Sequence, residues 1–370
     1  MVGLGLIGGS IAAALSELDD PPVVYGVDDD GETLALAAVK GIVDAAAVPG
    51  QALASGWFSS DTCALVLLAT PVAATLQWLS RLAEVHYDGI VTDVSSTKRA
   101  VVEYAARDDA PYTFIGGHPM AGSERSGITA SRPDLLSGAY YVLTPGADTP
   151  SQAYQRLHAL ITSLGARVVS VEPGSHDDAV AVVSHVPHVA AAALVRLAND
   201  RAASSGHDVL RLAAGGFKDM TRIAAGSPDL WTGICLDNAD AIGTAIEGLR
   251  DVLGEFNGLL TASDASGIRE WLSTAAEVRR ALPAQWVPAT SQLSELTLPM
   301  NDRPGVISTV TAAAAHAGCN IEDIAIDHQS EDTAVLRLIL TDEGDVSGLI
   351  DALRRQGFEA TSHPLEDDKA

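Results

Sequence analysis

The first ten residues contain the sequence feature that most constrains the fold. Gly3, Gly5 and Gly8 follow the spacing GxGxxG, and Asp28 comes twenty residues after the last of them. This spacing is typical of a strand-turn-helix unit that binds the pyrophosphate of a dinucleotide, with the carboxylate accepting hydrogen bonds from the ribose. The sequence therefore predicts a dinucleotide site on a Rossmann-type fold.

Each part of this segment has an expected role. Gly3 makes the tight turn, Gly5 lets the backbone approach the pyrophosphate, and Gly8 lets the helix pack on the strand. The first N–H groups of the helix and its positive dipole end then face the phosphates. The predicted cofactor contacts in this segment are Gly3, Gly5, Leu6, Ile7, Gly8 and Asp28.

The acidic residues at positions 28–30 select between the two nicotinamide cofactors. Three carboxylates would repel the 2′-phosphate of NADP, which needs an arginine or lysine here. We therefore predict NAD. Only Met1 and Val2 precede Gly3, so the first strand of the fold is expected to be nearly absent, and we expect the natural start to lie upstream.

Composition excludes several classes of partner. A length of 370 residues indicates two or three domains, and a formal net charge of −25 argues against nucleic acid and anionic membranes. The three cysteines are far apart, so neither a disulfide framework nor a zinc site is expected. We see no signal peptide or membrane-length apolar run, and we expect a cytoplasmic protein.

Strand-like apolar runs alternate with helical periodicity through residue 173. We predict strands at 23–28, 64–69, 90–93, 114–116, 140–143 and 167–171, and helices at 10–16, 73–84, 99–106 and 152–164. This order predicts a parallel, doubly wound α/β sheet over residues 1–173, with ligands at the carboxyl ends of its strands.

The pattern changes after residue 173. Residues 174–283 show helical periodicity, and residues 181–197 are nearly all apolar, which is typical of a buried helix at a subunit interface. We predict an all-α domain that forms a homodimer. A linker is expected at 284–293. Residues 294–365 follow the order strand, helix, strand, strand, helix, strand, which predicts a ferredoxin-like βαββαβ domain.

Polar clusters follow the predicted strands and recur in the helical region. One run covers residues 116–124, and two more cover residues 184–188 and 215–222. Strand ends of a doubly wound sheet border the bound dinucleotide. The cofactor contacts predicted at such ends are Thr70, Pro71, Asp93 and Ser96.

The order of these clusters is similar to that of the prephenate dehydrogenases and the related arogenate dehydrogenases. The run His118-Pro119-Met120-Ala121-Gly122-Ser123-Glu124 is the most specific element, and the cluster at 218–222 supports it. The last segment resembles an ACT domain through its turn at 302–306 and its segment at 318–323. The resemblance covers the whole chain.

This resemblance implies oxidative decarboxylation of prephenate in tyrosine biosynthesis. Hydride leaves C4 of the ring for NAD, a base accepts the hydroxyl proton, and CO2 departs as the ring becomes aromatic. The resemblance assigns the proton to His118, a step that contributes about 10²–10⁴-fold, and gives Ser96 a hydrogen bond to that histidine. A helix N-cap is the alternative interpretation of Ser96.

The remaining cluster residues are expected to bind substrate. Arg222 is the expected clamp for a carboxylate, because a guanidinium binds carboxylates bidentately. An ion pair with Asp219 is its alternative role. Glu124 and Asp219 are expected to order the pocket, and no metal site is expected. The predicted substrate-binding residues are Arg222, His185, His188, Lys218, Ser123, Glu124, Gly215 and Asp219.

The ACT resemblance implies feedback control by an aromatic amino acid, tyrosine first, because such domains bind amino acids between paired copies. A purely structural module is the alternative. The predicted effector-binding residues are Asn301, Asp302, Arg303, Pro304, Gly305, Gly318, Asn320 and Ile321.

Other functions stay open at this point. Arogenate carries an ammonium group in place of the ketone, and a 4-amino-substituted prephenate is a further substrate; the cationic cluster residues favour the keto acid. β-Hydroxyacid dehydrogenases and imine reductases share the N-terminal motif but lack the run at 118–124. An amino-acid sensor on an inactive dehydrogenase fold is the non-enzymatic alternative, against which His118 and Arg222 argue.

Overall fold

The computed structural model describes residues 1–107, 110–122, 125–146, 148–205, 209–281, 293–301, 303–329, 333–341 and 344–364. Ser123, Glu124, Asp302 and nearly all of the predicted linker lie outside these described residues. Contacts divide the chain into two units. The first unit comprises residues 1–177, 226–237 and 294–365, and the second comprises residues 178–225, 238–293 and 366–370.

Within the first 170 residues, the described part of the chain contains seven short strands. They are β1 (Tyr25–Val27), β2 (Ala45–Ala47), β3 (Leu65–Leu68), β4 (Ile90–Asp93), β5 (Thr113–Pro119), β6 (Tyr140–Pro145) and β7 (Arg167–Ser170). Strands β3 to β7 form one sheet in chain order, and β1 pairs with β2. Val2 forms parallel bridges to Val27 and Leu68. The first strand is therefore a single bridge residue, as the short N-terminal segment indicated.

The prediction of an all-parallel sheet was wrong at one position. Strands β5 and β6 pair antiparallel, with His118 opposite Val142, whereas β6 and β7 pair parallel. The described residues of the β5–β6 connection contain two 3₁₀ turns, Ile128–Ala130 and Pro133–Leu136, and no crossover helix; a connection without such a helix allows the strand to return antiparallel. The sequence also missed β2, because its alanines carry no β-branched signal.

Six α-helices accompany these strands in the described part of the same segment. They are α1 (Leu6–Ser16), α2 (Gly31–Lys40), α3 (Pro49–Ala54), α4 (Val72–Glu84), α5 (Arg99–Ala105) and α6 (Ser151–Ser163). Helix α1 buries Ile11, Ala12 and Leu15 in the core. Four of the six were predicted; the sequence placed the start of α1 four residues late, since the glycines hid its first turn.

Helices dominate the next segment, as predicted. They are α7 (Pro173–Val180), α8 (Val186–Ser205), α9 (Gly215–Thr221), α10 (Pro228–Asp237), α11 (Ala239–Thr261) and α12 (Ala265–Ala281). A π-helical turn, Ala181–His185, joins α7 to α8. Among the described residues, only the continuous helix Pro173–Ser204 meets the length and apolar composition of a membrane span. The sequence analysis missed this run, but the core helix of a soluble protein has the same properties.

The last segment has the predicted order of elements. They are β8 (Leu293–Asn301), α13 (Val306–His316), β9 (Ile321–His328), β10 (Thr333–Thr341), α14 (Val346–Arg355) and β11 (Thr361–Pro364), and the strand order is β11-β8-β10-β9. Gln155 of α6 donates a 2.6 Å hydrogen bond to the carbonyl of Ile326 in β9. The backbone N–H of Gly305 donates to the carbonyl of Thr149 at 3.2 Å. This segment thus contacts the α/β region formed by the first 170 residues directly.

Candidate active site

The glycine turn fits a dinucleotide. Gly3 has a φ of +85°, and a Cβ there would lie 2.4 Å from the carbonyl oxygen of Ala69. A Cβ on Gly8 would lie 2.0 Å from the carbonyl oxygen of Gly3, whereas a Cβ on Gly5 would meet nothing within 4 Å. Gly3 and Gly8 are therefore required by the packing, and the open side of Gly5 leaves room for a pyrophosphate to approach the backbone.

The residues around this turn lie at the start of α1, at the end of β1 and after β3. Helix α1 begins at Leu6, and Ile7 is its second residue. Among the described residues, no side chain caps the N–H groups of this first turn. The Asp28 carboxylate accepts the N–H of Leu4 at 2.7 Å, which ties the turn to the end of β1. Asp30 caps α2 through the N–H groups of its first turn. Thr70 and Pro71 follow β3 at the same edge of the sheet.

His118 lies at the end of β5 and is 9% exposed. Its Nδ1 atom lies 2.8 Å from Nε2 of His176, and Nδ1 of His176 lies 2.8 Å from Oδ1 of Asp177. The sequence analysis missed His176 and Asp177. The adjacent histidine and aspartate near the start of a predicted helical segment could have indicated a site. Their contact with β5, however, depends on the fold.

Asp93 has an internal role that the sequence analysis did not foresee. Its side chain has no exposed surface, pairs with the Lys98 ammonium and accepts the N–H of Gly117 at 2.9 Å. The predicted contact of Asp93 with the cofactor stays a prediction. Lys98 also donates to the Gly117 carbonyl at 2.7 Å, so both backbone polar groups of Gly117, the residue before His118, are hydrogen-bonded to this ion pair.

The buried position of Lys98 also changes the pKa of its side chain. Burial lowers the pKa of its ammonium, although the neighbouring Asp93 carboxylate opposes this. Ser96, which lies between these two residues in the chain, is half-buried. The N-cap of α5 is Lys98, without a side-chain hydrogen bond, so the alternative interpretation of Ser96 as a helix cap was wrong.

The second unit contains the predicted substrate residues of the helical region. His185 is buried in the π-helical turn, and its Nδ1 lies 3.2 Å from Nδ2 of Asn238. Because the amide nitrogen donates, Nδ1 of His185 is the acceptor of this hydrogen bond. Burial lowers the pKa of His188, so this residue is neutral at pH 7. Asn238 is a further residue that the sequence analysis missed.

The cationic cluster of the second unit is open to solvent. Gly215, Lys218 and Asp219 lie on α9, Arg222 begins the turn that follows, and all four are exposed. No group of three or more histidine, cysteine, aspartate or glutamate side chains suited to a metal occurs among the described residues.

The predicted effector-binding residues lie around two turns of the last segment. Gly305 has a φ of +85° and precedes α13, and Gly318 has a φ of +67° after its end. Asn320 and Ile321 lead into β9. Asn301 and Arg303 line a cavity of about 470 Å³. Pro304 lies in the turn between them and α13.

Comparison with known proteins extends these observations. Residues 11–170 match the nucleotide-binding domain of prephenate dehydrogenases, and residues 172–274 match their dimerization domain. A prephenate dehydrogenase of Bacillus subtilis is 36% identical over 349 residues, which cover 93% of this chain and 92% of the relative.

Solved structures show the same relationship. A prephenate dehydrogenase from Aquifex aeolicus, in complex with hydroxyphenyl propionate and NAD+, superposes with a TM-score of 0.69 at 30% identity, over 75% of this chain and 96% of the other. An arogenate dehydrogenase from Synechocystis gives a TM-score of 0.64 at 31% identity, over 75% of this chain and 97% of the other. By its two domains and its relatives, this chain belongs to the prephenate dehydrogenase family.

Proposed function

We propose that the protein is an NAD-dependent prephenate dehydrogenase, which converts prephenate to 4-hydroxyphenylpyruvate and CO2. The observation that carries the proposal is the buried His118, whose Nδ1 lies 2.8 Å from Nε2 of His176, and whose preceding residue Gly117 accepts a hydrogen bond from Lys98. Its strand belongs to the sheet that Val2, just before the dinucleotide turn, bridges at Leu68. The relative from Bacillus subtilis has this activity in its name, and the Aquifex aeolicus structure contains NAD+.

The residues of the first unit account for the chemistry. Bound NAD supplies the hydride acceptor for C4 of the substrate ring. His118 accepts the proton of the C4 hydroxyl, and Ser96 approaches this histidine and the cofactor. The turn at Gly3–Gly8 and the N-terminus of α1 bind the pyrophosphate, and Asp28 binds the ribose. Thr70 and Pro71 border the nicotinamide.

The residues of the second unit account for substrate binding. Arg222 and Lys218 supply positive charge for the two carboxylates of prephenate. His185 donates from Nε2, and neutral His188 contributes a hydrogen bond without charge. Gly215 allows close approach of the ligand to the backbone. The predicted pocket residues Ser123 and Glu124 lie outside the described residues and keep their predicted role in this proposal.

Arogenate is the second candidate substrate. Asp219 is exposed one residue after Lys218 and offers a carboxylate to the ammonium group that distinguishes arogenate from prephenate. The Synechocystis relative is an arogenate dehydrogenase. The cationic residues of α9 and its following turn outnumber this carboxylate, which favours the keto acid.

The last segment is proposed to be an ACT domain that binds tyrosine. Its βαββαβ order and the cavity beside Asn301 and Arg303 support this assignment. Gly305 contacts Thr149, which precedes α6, so a ligand at this turn would act on the nucleotide-binding region. The proposed domains are 1–173, 174–283 and 294–365, joined by a linker at 284–293.

The helical region is proposed to form a homodimer. The enzyme is proposed to be cytoplasmic. Ile246, Leu253 and Leu260 follow one another at intervals of seven on α11, and each is 39–56% exposed. This spacing places them on one face of the helix. An exposed apolar stripe of this kind is typical of a subunit interface, and this region matches a dimerization domain.

One assay tests the reaction, its substrate and its regulation. Absorbance at 340 nm is followed with NAD and either prephenate or arogenate, each with and without tyrosine. We expect turnover of prephenate and inhibition by tyrosine, with weaker inhibition of an Asn301→Ala variant. Turnover of arogenate alone would reassign the substrate, and no turnover of either in a protein that binds NAD would refute the proposed function.

A further inference from the structure

We infer that His176 is a positioning residue, which holds His118 in the tautomer that accepts the substrate proton. The inference deepens the proposed function and rests on it. His176 is 2% exposed and its ring lies edge-on to that of His118, with centroids 5.1 Å apart and an interplanar angle of 77°. It therefore presents one ring nitrogen to His118 and the other to Asp177.

The carboxylate at the far end of this chain is fixed as an acceptor. Burial would raise the pKa of Asp177, but hydrogen bonds from His176 and from the backbone amides of Arg99 and Lys98 outweigh burial and lower it. Those amides lie 2.9 Å and 2.8 Å from the two carboxylate oxygens. Asp177 is consequently ionised at neutral pH, and an ionised carboxylate only accepts hydrogen bonds.

This acceptor determines the protons of both rings. His176 donates its Nδ1–H to Asp177, so in the neutral ring Nε2 carries a lone pair. That lone pair faces Nδ1 of His118, which must therefore carry a proton and donate it. The Nε2 of His118 is then left with the lone pair that a general base needs.

The same arrangement stabilises the product of proton transfer. When Nε2 of His118 takes the hydroxyl proton, the ring becomes an imidazolium, and its Nδ1–H bond to His176 strengthens. The negative charge of Asp177 lies behind His176 and stabilises the cation further, as the aspartate does in a serine-histidine-aspartate triad. His176 thus raises the proton affinity of His118 without touching the substrate.

Other ionisable groups surround the histidine pair. They are Asp93 at the end of β4, Lys98 and Arg99 at the start of α5, Glu172 and Asp177 around the start of α7, and Asp237 at the end of α10. Burial raises the pKa of Asp237 and lowers that of Lys98. The test therefore compares variants of His176 in which all of these groups are retained.

Two substitutions separate the two hydrogen bonds of His176. In His176→Gln, the amide oxygen can reach the former position of Nε2 and accept from His118. In His176→Asn, the shorter amide can reach Asp177 but not His118. His86→Asn is the control, because His86 is exposed and its φ of 55° is one that asparagine tolerates.

The full-length variants are assayed with NAD and prephenate from pH 5 to pH 9, with NAD affinity and melting temperature measured in parallel. For His176→Asn we expect kcat to fall about 10- to 100-fold, a fraction of the contribution of a general base. We also expect the acid limb of its kcat profile to move to lower pH, because His118 loses an acceptor that favours its protonation. His176→Gln should keep most of the wild-type kcat, with its acid limb near the wild-type pH. His86→Asn should match the wild type in both.

Two results would overturn the inference. An unchanged kcat and acid limb in His176→Asn would show that the hydrogen bond does not act on His118. If His176→Asn and His176→Gln lose kcat equally, keep the wild-type acid limb and have a lowered melting temperature, His176 has a structural role only. Failure of the wild-type protein to oxidise prephenate would instead refute the proposed function, which keeps the two failures distinguishable.

Discussion

The two units of the molecule present their functional residues in opposite ways. In the first unit, His118, Lys98 and Asp93 are buried and held by hydrogen bonds within the same unit. In the second, Lys218 and Arg222 are exposed, as are the apolar side chains along α11. The proposed proton acceptor is therefore fixed by the fold of a single unit, whereas the two cations proposed to bind the carboxylates of the substrate lie on an open surface.

This difference is consistent with the chemistry proposed for each set of residues. A general base needs one tautomer and one orientation, and buried hydrogen bonds supply both. A cationic clamp needs only to meet a charged ligand, and long side chains on a surface helix can do so. The comparison predicts that substitutions in the first unit change turnover, and substitutions in the second change substrate affinity or assembly.

The largest effect is expected at His118. His118→Asn removes the proposed proton acceptor and should lower kcat by about 10²–10⁴-fold, while NAD affinity, measured by fluorescence titration, stays near the wild-type value. The glycine turn that binds the cofactor is untouched by this change. Turnover at the wild-type level would remove His118 from the mechanism and with it the contrast between the two units.

A smaller effect on a different parameter is expected at Arg222. Hydrogen bonds to charged groups contribute about 1.5–3 kcal/mol, so Arg222→Ala should lower kcat/KM for prephenate roughly 10- to 100-fold, mainly through KM. Arg222→Lys should lose less, because the charge remains but bidentate geometry is lost. Arg269→Ala, an exposed arginine of α12, is the matched control. A fall in kcat with KM unchanged would contradict the proposed binding role.

The sequence predicted the first unit unevenly. Periodicity and the glycine spacing were enough for most strands and helices and for the dinucleotide turn, because these depend on local patterns. The antiparallel β5–β6 pair and the contact of His176 with His118 were not predictable, since each depends on where distant segments meet. Asp93 shows the same limit: its position at a strand end was predicted, but its pairing with Lys98 was not.

In the second unit the sequence predicted helices and candidate residues but not their surroundings. Asn238 lies 53 residues from His185, and nothing in the local sequence of either residue indicates the pairing. The apolar composition of residues 181–197 suggested a buried helix, yet Val182, Val183 and Leu197 are 59–68% exposed in the single chain. Composition indicates that a surface needs covering, but it does not say whether the same chain covers it.

A substitution on α11 tests whether a second copy of the chain covers the exposed apolar surface. Leu253→Glu places a charge within the exposed stripe of Ile246, Leu253 and Leu260, and we expect the dimer to dissociate to monomers in size-exclusion chromatography with light scattering. Burying an unpaired charge in an interface costs several kcal/mol. Glu255→Ala, on another face of the same helix, should leave the assembly unchanged. Equal masses for Leu253→Glu and wild type would exclude this stripe from the interface.

The smallest expected effect is the contribution of Asp177, in the first unit, to the pH dependence of folding stability. The pKa of Asp177 is lowered in the folded protein, below the value of about 3.9 for an unfolded chain. Its ionised form therefore stabilises the fold fully above that unfolded value. This contribution is lost as pH falls through the folded pKa.

Asp177→Asn tests this sign. The substitution should lower the urea midpoint at pH 7, and the gap between wild type and variant should shrink as pH falls from 5 to 3, because the wild type then loses what the variant already lacks. Asp178→Asn, at the exposed neighbour, should show no such convergence. A gap that stays constant with pH would mean that Asp177 stabilises the fold by packing alone, and that the buried charge invoked behind His118 and His176 has no energetic weight.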